Sequence, residues 1–138
     1  MSDPAQPFGW PLRVYYEDTD VGGVVYYANY LKYMERARTE WLRALGFDMS
    51  VMAREHGCHF VAQRAEIDYL RPARLDDQLV ATVALARHGH ARLVLQQDVL
   101  KNDQRLAGAK VTLACITTDT WQPMPMPAAL KATLEKLS

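Results

Sequence analysis

The sequence predicts an α+β fold in which one long helix is wrapped by a curved antiparallel sheet of about five strands. Three observations carry this. From about Ala28 to Leu45, apolar and small residues recur at helical spacing. Nearly everything between about Cys58 and Asp119 reads as strand. The breaks between those strands are of hairpin length, too short for the crossovers that parallel neighbours need. At 138 residues the chain is expected to be a single domain, 1–138 with a short N-terminal tail. A chain of that size buries roughly two-thirds of the surface its unfolded form exposes.

The first strand is expected over Leu12 to Glu17, after Gly9-Trp10-Pro11, because Leu12, Val14 and Tyr16 alternate with Arg13, Tyr15 and Glu17. It ends at an acidic turn. In the long helix, Tyr30, Met34, Ala37, Trp41 and Leu45, joined by Leu31 and Leu42, give a broad buried face, and Gly46 is a stop. Glu40 and Arg43 stand at i,i+3 spacing on its polar side. Thereafter "HFVAQRAEIDYL" breaks at Arg71-Pro72, "QLVATVALAR" at His88-Gly89-His90, "ARLVLQQDVL" at Asn102-Asp103, and "RLAGAKVTLACITTD" at a proline-rich segment. Gly108 inside the last strand predicts a bulge or a close backbone approach. After "QPMPMP", Leu130, Leu134 and Leu137 place one apolar stripe on a final helix from about 127. An open sheet of this size leaves edges, and a second copy is a simple way to cover them.

Sixteen basic side chains balance sixteen acidic ones. That argues against a nucleic-acid or anionic-membrane partner, which needs a basic excess or stripe. The N-terminus has neither a basic start nor an apolar run of signal length, and no segment approaches the roughly 20 apolar residues that span a bilayer. The expectation is a cytoplasmic protein. Cys58 and Cys115 are too few for a disulfide framework and read as small buried apolar residues. In "EHGCH", Glu55 to His59, the side chains of His56, Cys58 and His59 lack a second ligand cluster, so no metal is expected and the segment reads as a strand starting after a loop.

The acidic turn "EDTDVGG", Glu17 to Gly23, admits two readings. It can be a solvated turn in which Asp bonds nearby backbone and Gly supplies positive φ. Its place immediately before the long helix supports the other, because unpaired N–H groups and the positive dipole end face whatever sits there. A carboxylate beside N–H donors is what acyl transfer to water requires. No G-x-S-x-G, P-loop or G-x-G-x-x-G pattern offers a different chemistry. Glu35 is either a surface partner for arginine or a second candidate acid.

At "RVYYEDTDVGGVVYYANYLKYMERARTEWL" the chain resembles the hotdog-fold acyl-CoA thioesterases, and among them the YbgC type associated with the Tol-Pal system. "FGWPLRVYYEDTD" and "RPARLDDQL" resemble the same subgroup, so the likeness runs from about Phe8 to Pro127. The resemblance implies hydrolysis of acyl-CoA to free acid and CoA without a cofactor. It implies a homodimer or homotetramer with its sites at the dimer interface, near the helix start. It gives Asp20 the role of nucleophile or general base, places Tyr16 in the site, and puts oxyanion donors among the N–H groups around Gly23 to Tyr27. Acyl carrier protein is a further candidate partner.

Two residues depart from that pattern. Tyr27 stands where YbgC-type chains have His after "VVY", and there the chain resembles the 4-hydroxybenzoyl-CoA thioesterases of the same superfamily better. A phenol can donate a hydrogen bond but does not replace imidazole as a base at neutral pH. Arg92 stands where YbgC-type chains tend to have a small hydroxyl residue, and its guanidinium suits the phosphates of CoA. The competing expectations are an aromatic-acyl thioesterase and a binding module without turnover.

Overall fold

The computed structural model describes residues 7–137. Strand β1 (Phe8–Arg13) and a single 3-10 turn (Tyr16–Asp18) precede helices α1 (Asn29–Ala44) and α2 (Met49–His56). Strands β2 (Cys58–Tyr69), β3 (Gln78–His88), β4 (Arg92–Lys101) and β5 (Gln104–Thr117) follow, and helix α3 (Ala128–Leu137) closes the chain's described part. The strands form one sheet in the order β1-β3-β4-β5-β2, and every neighbouring pair is antiparallel.

Helix α1 buries Tyr30, Tyr33, Met34, Ala37, Trp41 and Leu42 and packs on β1, β3 and β4. Alternate strand residues meet it, Leu79, Ala81 and Val83 from β3 and Leu93, Leu95 and Val99 from β4. Each leucine or valine among them contributes about 1.5–3 kcal/mol on burial. One polar residue sits among them. Gln97 is 0% exposed; its Nε2 donates to the carbonyls of Met34 at 3.0 Å and Thr82 at 3.2 Å, and its Oε1 accepts from Arg38 Nη1 at 2.9 Å. Helix and sheet are thereby joined by bonds as well as by packing.

The expected helix, strands and final helix are present, and Arg43 pairs with Glu40. The hairpins β3–β4 and β4–β5 form as expected, but the one expected across Arg71-Pro72 does not, because β2 lies at the sheet edge and pairs with β5 instead of β3. Asn102 and Asp103, both at positive φ (50° and 66°), form the two-residue turn that suits the twist of a hairpin. Five further details differ. The first strand runs over Phe8–Arg13, not Leu12 to Glu17. Pro11 does not bound it, because β1 is an edge strand where a missing N–H is tolerated. Tyr16 is consequently exposed rather than buried. In α1 Leu31 is exposed and Tyr33 takes its place, since Tyr33 continues the stripe of Tyr30 and Ala37. The stretch before β2 is not a loop but α2, capped by Asp48, which accepts from Ser50 N–H at 2.8 Å, and closed by Gly57 in the left-handed region. Gly108 stays in register with Asp68 and Asp98; the β4–β5 irregularity lies between Val99 and Leu100, and what Gly108 admits is the Arg105 guanidinium, bonded to Asp98 at 2.9 Å.

Candidate active site

The acidic segment closes on itself through a small set of bonds. Tyr15 N–H donates to Asp18 Oδ2 at 2.9 Å, Asp20 N–H to the Val24 carbonyl at 2.9 Å, and Tyr26 N–H to the Asp18 carbonyl at 2.9 Å. Gly23, at φ 79°, donates to the Asp20 carbonyl at 3.0 Å, a conformation that a side chain would strain. Gly22 N–H donates to Asp20 Oδ1 at 2.8 Å. Asp20 is exposed, and its Oδ2 takes no hydrogen bond from the described residues. The turn is pinned to the rest of the fold by Val25 N–H, which donates to Ala73 O at 2.8 Å.

These bonds decide which N–H groups remain for a ligand. Asn29, Tyr30 and Leu31, at the head of α1, donate to the carbonyls of Tyr26, Tyr27 and Ala28. Gly23, expected among the oxyanion donors, turns its N–H inward to Asp20. The N–H groups of Tyr27 and Ala28 have no acceptor among the described residues.

Beside them lies an aromatic cluster. Tyr27 contacts Tyr69 edge-on with ring centroids 5.8 Å apart, and Tyr30 contacts Tyr69 at 5.5 Å. The Tyr30 hydroxyl accepts from the buried Ala73 N–H at 3.0 Å. Val25, Tyr27, Tyr30, Tyr69, Leu70 and Pro72 line a cleft of about 250 Å3. Burial pushes the Tyr30 and Tyr69 phenols up, so both stay neutral. Below the turn, burial and then the neighbouring Asp18 carboxylate raise the Tyr33 phenol well above its ordinary range.

Asp20, Tyr16, Gly23 and Tyr27 thus belong to one segment, whereas the other expected residues lie elsewhere. Glu35 and Arg38 border a separate cavity of about 250 Å3 floored by Leu42, Met49, Phe60 and Leu113. Arg92 lines a groove of about 690 Å3 with Arg64 and Arg87. His56 is exposed at the end of α2, Cys58 is buried, and His59 stands edge-on to Trp121, so the "EHGCH" side chains diverge. Tyr69 carries no local sequence signal; a tyrosine ending a strand is ordinary, and only the fold brings it to Tyr27.

Residues 14–134 match the thioesterase-like superfamily. The chain is 40% identical over 130 residues to the acyl-CoA thioesterase YbgC of Haemophilus influenzae, a span covering 94% of this chain and 96% of the other. It is 39% identical over 126 residues to the acyl-CoA thioester hydrolase YbgC of Escherichia coli O157:H7, covering 91% and 93%. Among solved structures, a probable thioesterase from Bartonella henselae superposes with a TM-score of 0.85 at 36% identity, covering 88% of this chain and 100% of that one.

Proposed function

We infer that this chain, which belongs to the thioesterase-like superfamily, hydrolyses acyl-CoA to a free carboxylic acid and CoA, with Asp20 as its working carboxylate. One observation carries the reading: an exposed carboxylate, held by its own Gly22 N–H, shares a segment with two unengaged N–H groups at the head of a 16-residue helix. As general base, Asp20 takes a proton from water while the water oxygen attacks the thioester carbon. The carbonyl oxygen gathers negative charge, which the N–H groups of Tyr27 and Ala28 and the positive end of α1 stabilise. Collapse of the tetrahedral intermediate breaks the C–S bond and releases CoA, the thiolate taking up the proton. As nucleophile, the Asp20 carboxylate instead displaces CoA thiolate from the thioester carbon to form an acyl anhydride, which water splits into the free acid and the restored carboxylate, with the proton passing to the thiolate. Either route balances with water alone.

Tyr16 and Tyr27 contact the substrate in this reading, Tyr27 through its N–H and as a phenol donor, and Gly23 supplies the turn that aims Asp20. Arg92, with Arg64 and Arg87, holds the CoA phosphates, to which guanidinium forks are suited. A second copy completes the assembly, as dimer or tetramer. Exposed Tyr15, Tyr16, Val21 and Leu31 around the turn, and the one-sided pairing of β2, support that reading. The cytoplasm is the proposed compartment, where the thiols of Cys58 and Cys115 stay reduced. Acyl carrier protein is a candidate alternative donor of the acyl group. A second reading, an aromatic-acyl thioesterase, is favoured by the tyrosine cluster at Tyr27.

Thiol release across short, long and aromatic acyl-CoAs tests the proposal, with wild type beside Asp20→Asn and Glu35→Ala. Asp20→Asn is expected to fold and to lose at least about 10²-fold in kcat, whereas Glu35→Ala retains turnover. Near-normal kcat in folded Asp20→Asn removes the mechanism. Binding of acyl-CoA with no turnover on any substrate by wild type leaves the binding module.

A further inference from the structure

We propose that Asp18 is a positioning residue for hydrolysis: its carboxylate and its carbonyl together hold the Asp20 side chain and the Tyr27 N–H at a fixed separation. The proposal rests on the acyl-CoA reading above and gives a role to a second acid of the turn, which that reading leaves without one.

Asp18 is tied to the strand side and to the helix side at once. Its Oδ2 accepts the Tyr15 N–H at 2.9 Å and its own N–H donates back to the Tyr15 carbonyl at 3.0 Å, so the two residues clasp the single 3-10 turn reciprocally. Tyr15 is a firm point for this, because it follows the fully buried Val14. Val14 N–H donates to the Asp77 carbonyl at 2.9 Å, and Asp76 N–H to the Val14 carbonyl at 3.0 Å. The Asp18 carbonyl meanwhile accepts from Tyr26 N–H at 2.9 Å and from Asn29 Nδ2 at 2.8 Å, which lead into α1. Asp20 follows Asp18 closely on one side of this knot, and the unengaged N–H of Tyr27 adjoins Tyr26 on the other. A carboxylate and an oxyanion donor act together only at the right separation, and an error of about 1 Å costs as much as ~10²-fold in rate. Without the Asp18 carboxylate, Tyr15 N–H loses its acceptor and the clasp is reduced to one bond. Glu17 stands in the same turn with the same charge, but it is exposed and its carboxylate makes no hydrogen bond or ion pair among the described residues.

The experiment measures kcat and KM for thiol release from acyl-CoAs, and equilibrium binding of a non-hydrolysable S-alkyl-CoA thioether. Wild type is compared with Asp18→Ala, Asp18→Leu, Asp18→Asn and Glu17→Ala. Leu has nearly the shape of Asp without an acceptor and stands beside Ala in case the smaller side chain loosens the fold. Asn keeps an oxygen for Tyr15 N–H while losing the charge. Glu17→Ala removes the same charge from the same turn without removing a bond. Asp18→Ala and Asp18→Leu are expected to lose about tenfold or more in kcat and in kcat/KM alike. Both are expected to bind the thioether, which has no carbonyl oxygen, as wild type does. Asp18→Asn and Glu17→Ala are expected to stay within about threefold of the wild-type kcat. Unchanged kcat in either folded variant without the acceptor overturns the proposal. So does a loss of the same depth in Asp18→Asn or Glu17→Ala, which assigns the effect to charge, or a parallel loss of thioether affinity, which assigns it to binding. Failure of both Asp18→Ala and Asp18→Leu to fold overturns it too, since Asp18 then supports the fold and not the site. Absence of turnover by wild type on every acyl-CoA sinks the acyl-CoA reading and the proposal together, whereas normal wild-type turnover with unaltered kcat in Asp18→Ala sinks the proposal alone.

Discussion

The side-chain amide of Asn29 donates to the main-chain oxygen of Asp18 at 2.8 Å. Because Asn29 also donates its own N–H to Tyr26 O at 2.9 Å, the first residue of α1 holds the turn that precedes it. Asp20 is thus positioned from the helix side. Asn29→Ala is expected to lower kcat about tenfold through misplacement of the carboxylate and to cost about 1 kcal/mol of stability. Asn29→Asp, equal in size but without a donor, should show the same kcat loss; unchanged kcat in that variant would refute the positioning role.

Tyr30 joins the same helix end to the loop before β3. Removing its hydroxyl in Tyr30→Phe leaves the N–H of fully buried Ala73 without an acceptor. A loss of about 1–3 kcal/mol is expected, measured by urea unfolding.

Gln97 is the polar node of the core. Gln97→Leu removes the acceptor for Arg38, whose guanidinium pKa burial already lowers, and the donor for two carbonyls. The expected loss is about 2–4 kcal/mol, larger than for an isosteric apolar exchange. A shift in the denaturation midpoint at constant m-value checks it.

Asp77 controls part of the acid limb. Burial alone would raise its carboxyl, but Lys101 Nζ at 2.9 Å and Arg74 N–H at 2.8 Å hold it below its ordinary value. The folded state therefore releases this proton more readily than the unfolded chain. The stabilisation is complete above the unfolded value near pH 4 and is lost as pH falls through the lower folded value. Asp48, lowered chiefly by Ser50 N–H, acts in the same direction. Unfolding midpoints recorded from neutral to acid pH should fall less steeply at the acid end for Asp77→Asn than for wild type.

The elements legible in the sequence are those with a long period or a clear punctuation. Helix α1 and the β3-β4-β5 hairpins have both. Helix α2 has neither, since it spans eight residues and buries only Met52; its signals were the caps Asp48 and Gly57. The first strand was misplaced because a proline marks a boundary in central strands and not at an edge. In the candidate site, Asp20 stands out in the sequence because a carboxylate and a place before a helix coincide. The anchors around it do not. Asn29 reaches back 11 residues, Tyr30 meets Ala73 across 43, and Tyr69 lies on another element. Arg92 was legible as a phosphate-binding type of residue, but its groove is built by four strands.

The strand order has a consequence for how the protein comes into being. Strands β3, β4 and β5 are sequential neighbours and can pair as they emerge, but β2 pairs only with β5, the last strand made. Val14 and Val25, which flank the acidic turn, donate their N–H groups to the carbonyls of Asp77 and Ala73. Distant pairings of this kind close large loops and form slowly. On a ribosome, the acidic turn is translated early, and Ala73 and Asp77, which fasten its two flanks, arrive about fifty residues later.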